Sequence, residues 1–265
     1  TPYIRCALEE PEPRELTADG VTAVLADRTL TLSGAARFLV FNAAETLDAL
    51  AELPAGPAIV LGGFARTEEG AERFAETMGN RFALLLPGGL DDPDFIDDAR
   101  SANAIDLRGV HRVVLPGGEL VVVPGAFDGR SAIGNDACGF GAADLTLLRE
   151  SLDGEIDRRW WLPWEAPPGT GAVAPDLGFE GAHVGPQALL DLGGELGIAG
   201  GVFGYPETQA GLGSADLGTR AVPAEEFAPD LSFVAPTLGR VVERADESRT
   251  DGKAAWVEFA AEGMR

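Results

Sequence analysis

Thiol and imidazole side chains are scarce in this chain of 265 residues, which contains two cysteines and two histidines. Cys6 and Cys138 are too few for a disulfide scaffold or a four-thiolate zinc site, and we expect them to be two small buried thiols. His111 and His183 cannot form a histidine-rich metal cluster. A metal centre built mainly from thiolates or imidazoles is therefore excluded.

Lysine and long apolar segments are also missing. Lys253 is the only lysine, and it does not follow a strand in a Gly-x-x-x-x-Gly-Lys motif, so a phosphate-binding P-loop is excluded. No apolar run reaches the roughly 18 residues of a membrane-spanning helix. Residues 1–10 lack the charged start and apolar stretch of a secretory signal. We therefore expect a cytoplasmic protein.

Positive charge is outweighed by negative charge, with 20 Lys and Arg against 43 Asp and Glu and a formal net charge of −23. This excess repels nucleic acids and anionic membrane surfaces, so we expect neither as a partner. It either favours a basic protein partner or serves solubility alone. Because 45% of the residues are hydrophobic, the chain can still bury a large core.

From residue 36 onward, short apolar segments alternate with amphipathic ones. The pattern predicts strands at residues 36–42, 57–63 and 81–89, with helices at 45–53 and 67–79 between them. Strands with little polar alternation, joined by helices, are typical of a parallel sheet covered on both faces. The first half of the chain therefore predicts an α/β arrangement.

The second half predicts a further sheet and two more helices. A hairpin is expected over residues 110–125, a helix over 142–152, an aromatic strand over 158–164, and a helix that begins at Pro186. Further strands are expected at 197–204, 231–235, 238–244 and 254–260. We expect one α/β domain over residues 36–265, with two packed mixed sheets flanked by helices, after an N-terminal extension with a hairpin over residues 1–35.

Glycine pairs follow three of the predicted strands, at residues 62–63, 88–89 and 200–201. Open α/β sheets place their ligand crevice at this edge. In order, the strand-end segments LVFNAAET, IVLGGFAR, LLLPGGLDDP, PWEAPPGTG and GIAGGVFGYPETQ resemble the motifs D-x-H, GD, GNHD, H-x-P-P and GH-x-H of the calcineurin-like metallophosphoesterase family. The resemblance runs from about residue 36 to the C-terminus, and it implies a four-layer sandwich of two mixed sheets between helices.

The metal-binding positions of that family are replaced here. In the family, carboxylates, histidines and an asparagine hold two cations that activate a hydroxide and bind phosphate oxygens. Carried over one by one, the replaced positions are Asn42, Ala44, Gly63, Gly89, Leu90, Glu165, Gly201 and Phe203. Glycine, alanine, leucine and phenylalanine side chains offer no lone pairs to a cation. We therefore expect no metal, no cofactor and no catalytic residue. Asp91 does match the last residue of GNHD, which supports the loop in the family.

Three functions remain open. The first is a pseudoenzyme that acts as a protein-binding scaffold or assembly subunit, beside a basic partner or an active phosphoesterase paralogue. The second is a phosphoester hydrolase with a remodelled or single-metal site, in which Glu165, Asp91 and His183 would carry the reaction. The third is binding of a small ligand in the crevice without turnover.

Aromatic residues supply the candidate binding surface. Trp160, Trp161 and Trp164 offer the large contact areas found at interfaces, with core packing of a strand as the alternative. Strand alternation places Trp160 and Trp164 on one face and Trp161 on the other. Tyr205 would lie on the rim of the crevice.

Other nucleophiles and bases have weaker support. Ser131 and Ser151 show no pattern of histidine and aspartate partners. His183 could act as a general base, or could instead be a structural hydrogen-bonding group near a helix start.

Overall fold

The computed structural model describes residues 4–6, 11–43, 47–128, 137–152, 158–171, 173–178, 181–198, 200–244 and 248–265. Its helices are α1 (Leu47–Ala51), α2 (Glu68–Met78), α3 (Ala142–Ser151) and α4 (Gln187–Leu196). Its strands are β1 (Ile4–Arg5), β2 (Arg14–Ala18), β3 (Val21–Ala26), β4 (Thr29–Ser33), β5 (Arg37–Phe41), β6 (Ala58–Leu61), β7 (Ala83–Leu86), β8 (Ala104–Asp106), β9 (Arg112–Leu115), β10 (Gly118–Val123), β11 (Ala126–Phe127), β12 (Cys138–Phe140), β13 (Arg159–Pro163), β14 (Gly201–Phe203), β15 (Gly213–Ala215), β16 (Arg220–Ala221), β17 (Ser232–Val234), β18 (Ala255–Ala260) and β19 (Gly263–Met264).

The first sheet has the strand order β19-β18-β5-β6-β7-β8. Strands β5 to β8 are parallel, which confirms the parallel arrangement predicted for this part of the chain. The helix predicted at residues 67–79 is α2, whose first turn is capped by the Thr67 side chain accepting from the Gly70 amide. Helix α1 is described as shorter than the predicted 45–53, and residues 44–46 lie outside the described residues.

The second sheet has the order β16-β15-β17-β14-β13-β10-β9-β4-β3-β2. Strands β10, β13, β14 and β17 run parallel, and the predicted hairpins β3-β4 and β9-β10 are confirmed. Residues 14–33 were expected to precede the main domain, yet β4 pairs with β9 and Leu30 lies in the main core. The N-terminal hairpin is therefore part of this sheet, and β2 is the edge strand beside it.

The strand predicted at residues 238–244 is wrong. Val242 donates its amide to the Thr250 hydroxyl, and Glu243 forms only an isolated bridge with Arg249. Val241 remains 62% exposed. The two adjacent valines therefore join no sheet. The Leu238 amide donates to the Asn42 carbonyl, and the amides of Gly239, Val242 and Arg244 donate to residues 248–252 of the same loop.

Apolar side chains form three clusters. The largest lies between the two sheets, where Phe38, Ile59 and Leu84 of the first sheet share a cluster with Leu120 and Leu162 of the second. A second cluster joins the other face of the first sheet to α1 and α2, and a third joins the other face of the second sheet to α3 and α4. The chain is thus an α/β protein with mixed sheets flanked by helices.

Cys6 and Cys138 form a disulfide, which corrects the expectation of two free thiols. The reason is tertiary. Strand β1 runs parallel to β12, so residues 132 positions apart in sequence come within 5.2 Å between their Cα atoms. That distance lies inside the range that disulfides require.

Candidate functional site at the strand ends

The carboxyl ends of parallel strands from both sheets meet at one place. Asn42 follows β5, and its side-chain amide donates to the carbonyl oxygens of Gly204 (2.8 Å) and Ala235 (3.0 Å). Those two residues follow β14 and β17 of the other sheet. The glycine pairs after β6 and β7 lie at the same edge. This is the edge at which the sequence analysis placed a crevice.

The Trp164 side chain fills this place. A methyl carbon built on Gly62 would lie 2.9 Å from the indole nitrogen, one on Gly89 would lie 2.6 Å from Cζ3, and one on Gly204 would lie 2.7 Å from Cδ1. Gly88 is closer still to the same ring. Real side-chain carbons would clash with the ring at these distances. The indole therefore occupies the space that side chains would fill if these positions were not glycine. Trp164 is 3% exposed.

The hydrogen bonds of Asn42 require an amide side chain, at the position where the metallophosphoesterase family has a carboxylate. Its Nδ2 atom donates two hydrogen bonds to carbonyl oxygens, and a carboxylate has no hydrogen to donate. Its Oδ1 atom has no hydrogen-bond partner within the described residues. The side chain is buried and ties the end of β5 to the second sheet. Asn42 therefore joins the two sheets.

Asp91 organises the loops after β6 and β7. Its carboxylate accepts from the amides of Gly63 (2.9 Å), Ala65 (2.7 Å) and Gly88 (2.8 Å), and it is fully buried. Burial raises the pKa of this carboxyl to about 6, and the backbone hydrogen bonds oppose that shift. Because the carboxylate accepts from three amides of the two loops, it holds those loops together.

Glu165 and Tyr205 lie beside Trp164. The Glu165 carboxylate is 3% exposed and accepts from the Phe127 amide at 2.6 Å. The ring of Tyr205 stacks on that of Trp164 with 5.0 Å between centroids. Burial and the negative charges of Glu165 and Glu207 raise the pKa of the Tyr205 hydroxyl. Tyr205 is half-buried, so its ring covers the indole on the side nearer to solvent.

Two positions carried over from the family, Gly201 and Phe203, lie within β14 and not in the segment that follows it. Gly201 begins β14 against the backbone of Trp161, and Phe203 packs in the cluster under α3 and α4. Gly204, Tyr205 and Glu207 follow the strand instead. The strand-end positions of β14 are therefore occupied by residues that follow the two carried-over positions in the sequence. Ala44 lies outside the described residues, and Leu90 is partly buried against the main core.

The tryptophan cluster does not form a binding surface. Trp160 is 0% exposed and Trp161 is 1% exposed. Trp160 and Trp164 lie in the cluster between the sheets, whereas Trp161 lies under the helices, as strand alternation predicted. Core packing describes all three side chains, and the expectation that they contact a partner is wrong because a partner cannot reach them.

His183 pairs with a buried carboxylate away from Asp91. Its Nδ1 atom lies 2.9 Å from Oδ1 of Asp176, which also accepts from the amides of Gly169 and Gly185. Asp176 is fully buried, while the His183 side chain is 45% exposed. Its Nδ1 atom therefore makes the hydrogen bond expected of a structural histidine, and the general-base role stays a hypothesis.

Ser151 does have a histidine neighbour, which sequence spacing missed. Its hydroxyl lies 2.6 Å from His111 Nδ1 and donates to the Leu148 carbonyl at 2.7 Å. Because the hydroxyl hydrogen is used there, the imidazole is the donor in this pair. Burial and the charge of Arg28 lower the pKa of His111 to about 4, so it is a poor base. The pair does not activate a nucleophile, and Ser131 lies outside the described residues.

Within the described residues, no group of three or more histidine, cysteine, aspartate or glutamate side chains is arranged to hold a metal ion. Among the same residues, no helix is long and apolar enough to cross a membrane.

Comparison with known proteins adds little to this geometry. No family model and no curated protein matches the chain. A solved structure resembles it with a TM-score of 0.48 and 14% sequence identity, over 68% of this chain and 87% of that one. A likeness of this strength carries no functional argument.

Proposed function

We propose that this chain is a catalytically inactive pseudoenzyme with the four-layer sandwich of the metallophosphoesterases, and that it acts as a protein-binding scaffold or assembly subunit. The observation that carries the proposal is the position of Trp164. Its indole lies among Gly62, Gly88, Gly89 and Gly204, at the edge where such folds hold their metals and substrate.

The polar groups at this edge support the same proposal. Asn42 donates to two carbonyl oxygens, Asp91 accepts from three amides, and Glu165 accepts from the Phe127 amide. Each group is engaged with backbone. Two-metal chemistry needs several side chains that converge on open coordination positions, and these three side chains serve the protein's own loops instead.

The charge of the chain bears on the partner. With a net charge of −23, a basic protein would be attracted at long range, and an active phosphoesterase paralogue would have to supply every metal ligand itself. An electrostatically attracted complex weakens as salt is added. We therefore expect a complex from the native host that is larger than the 27.6 kDa chain and that loses the partner at high ionic strength.

Metal content and turnover test the inactive site directly. Protein purified without chelator is analysed for metals and assayed on a phosphodiester model substrate with added Mn²⁺. We expect neither bound metal nor turnover. Stoichiometric metal, with turnover that is lost in Glu165→Gln or Asp91→Asn, would overturn the proposal in favour of a hydrolase with a remodelled or single-metal site.

The scaffold role has its own test. Extract from the native host is separated by size at low and at high salt, and the chain is followed by antibody. A lone monomer at low salt would contradict the scaffold role even if the site is inert.

A further inference from the structure

The N-terminal strand is fastened to the protein by the disulfide and by backbone pairing. Strand β1 pairs with β12 in parallel, with Ile4 opposite Cys138 and Arg5 opposite Gly139. The Cys6 amide then donates to the Gly139 carbonyl at 3.0 Å. The disulfide from Cys6 to Cys138 closes this short ladder. Two residues of pairing alone are a weak attachment, so the covalent link carries much of it.

Strand β12 leads from the disulfide to the loops at the strand ends. The Cys138 amide donates to the backbone carbonyl of Asp91 at 3.1 Å. Strand β12 also pairs with β11, which follows Gly125, whose amide donates to the Pro87 carbonyl at 2.8 Å. The disulfide therefore attaches the N-terminal strand to the segment that holds the Asp91 loop.

Both sulfur-bearing residues are buried. Cys138 is 0% exposed and Cys6 is 7% exposed, and they belong to the same apolar cluster as Phe41, Phe64 and Leu238. Thiol–disulfide exchange requires an attacking thiolate to reach a sulfur atom. Burial of both residues hinders attack by a soluble reductant on the folded protein, which favours a structural role over a redox switch.

We propose that the Cys6 to Cys138 disulfide is a permanent structural cross-link, formed while the chain folds in an oxidising compartment. This inference is independent of the proposed function. It replaces the expectation of a cytoplasmic protein, because reducing compartments keep thiols free.

The chemistry balances with a thiol–disulfide oxidoreductase as the oxidant. The thiolate of one cysteine attacks the disulfide of the oxidoreductase, which releases one thiolate of that protein and forms a mixed disulfide. The second cysteine thiolate then attacks the chain's own sulfur in the mixed disulfide and releases the second thiolate. The chain loses two protons and two electrons, and the oxidoreductase gains them as a dithiol.

Thiol labelling of protein from the native host is the first test. The chain is unfolded in denaturant with an alkylating reagent present, and its mass is measured with and without prior reduction. We expect no label without reduction and two labels after it. Label on both cysteines without reduction would overturn the proposal.

Thermal unfolding of the same protein is the second test. A cross-link that closes a loop of 132 residues restricts the unfolded chain, and its loss is expected to lower the Tm by about 10 °C. Cys6→Ala and Cys6→Ala/Cys138→Ala should show this loss to a similar extent, since either breaks the same link. Reductant should leave the folded wild type unchanged over hours, but it should lower the Tm after unfolding and refolding.

The double variant is the matched control for reductant, because it has no sulfur to reduce. A wild type that melts at the same temperature as the double variant, or that is reduced readily while folded, would contradict a buried structural cross-link. Hydrogen exchange gives a local readout. The backbone amides at positions 6 and 138 should exchange faster in Cys6→Ala, whereas the amides of α4 should not change.

Discussion

The two sheets contribute to the strand-end site in opposite ways. Where the first sheet faces the indole it supplies glycines, since Gly62, Gly88 and Gly89 follow β6 and β7. The second sheet supplies the bulk, through Trp164 and the stacked ring of Tyr205. The two sets fit each other because the indole lies where side chains on the glycines would be.

This difference shows that the indole of Trp164 fills the volume left by the glycines of the first sheet. Glycines alone would leave a void at the strand ends, and a void in a protein interior costs stability. Trp164 removes that void, while Asn42 and Asp91 satisfy the backbone groups around it. The site is therefore packed as a core.

Removing the ring should have the largest effect. Trp164→Ala leaves a cavity that the neighbouring glycines cannot fill, and we expect a loss of about 4 kcal/mol in the free energy of unfolding. Denaturant titration measures it. Trp164→Phe is the control and should lose less, because it keeps a ring against Tyr205. A loss below about 1 kcal/mol in Trp164→Ala would mean that the indole is not packed as described.

Replacing Asn42, whose side-chain amide joins the two sheets, should cause the next largest loss of stability. Asn42→Asp places a buried carboxylate against the Gly204 and Ala235 carbonyls, and we expect a loss of about 3 kcal/mol at neutral pH. Asn42→Ala removes the hydrogen bonds without adding charge and should lose less. The loss in Asn42→Asp should shrink in acid, where the carboxyl is protonated. A stable Asn42→Asp variant whose Tm rises with Mn²⁺ would instead indicate a restored metal ligand.

Adding a single methyl group at Gly88, which faces the indole of Trp164, should reduce the free energy of unfolding by a smaller amount. Gly88→Ala forces its carbon against the indole, and we expect a loss of about 2 kcal/mol. Gly194→Ala in α4 is the matched control, since nothing lies within 4 Å of its new carbon, and it should gain up to about 1 kcal/mol. In the Trp164→Ala background, Gly88→Ala should cost almost nothing. An unchanged cost there would place the clash elsewhere.

The pH dependence of Asp91 should be the smallest effect. Its folded pKa, about 6, lies above the ordinary value of 3.8, so the folded state holds the proton more tightly than the unfolded state. Its contribution to stability is full below pH 3.8 and is lost as the pH rises through about 6. Between about pH 7 and about pH 5, unfolding should become harder by about 1 kcal/mol from this group.

Asp91→Asn is the control for that titration. It loses hydrogen bonds to the loop amides and is less stable at every pH, but it should lack the component that titrates near pH 6. An equal pH dependence in the variant and the wild type would assign the titration to other acids.

Local patterns predicted much of the secondary structure. The Thr67 cap and Gly79 correctly bounded α2, and alternation correctly separated Trp161 from Trp160 and Trp164. These features depend on backbone geometry over a few residues, so a short stretch of sequence contains them. Segment 238–244 failed because its pattern had no neighbouring strand to pair with.

Contacts between distant residues could not be predicted in the same way. Glycine pairs marked the strand ends, but nothing near Trp164 in the sequence indicated that its ring would lie on them. Likewise, nothing near Cys6 indicated Cys138 as its partner. The end of β14 could not be read from its glycines either, because that end is decided by pairing with β13 and β17.

The sequence by itself determined the scarcity of cysteine and histidine, the acidic charge, the alternation of strands and helices, and the edge at which a site would lie. Those properties follow from composition and from short periodic patterns. Only the tertiary structure decided that the edge is filled, that Asn42 joins two sheets and that the two cysteines are paired. Each of these depends on side chains brought together from separate strands, and close packing between such strands is a property of the whole fold.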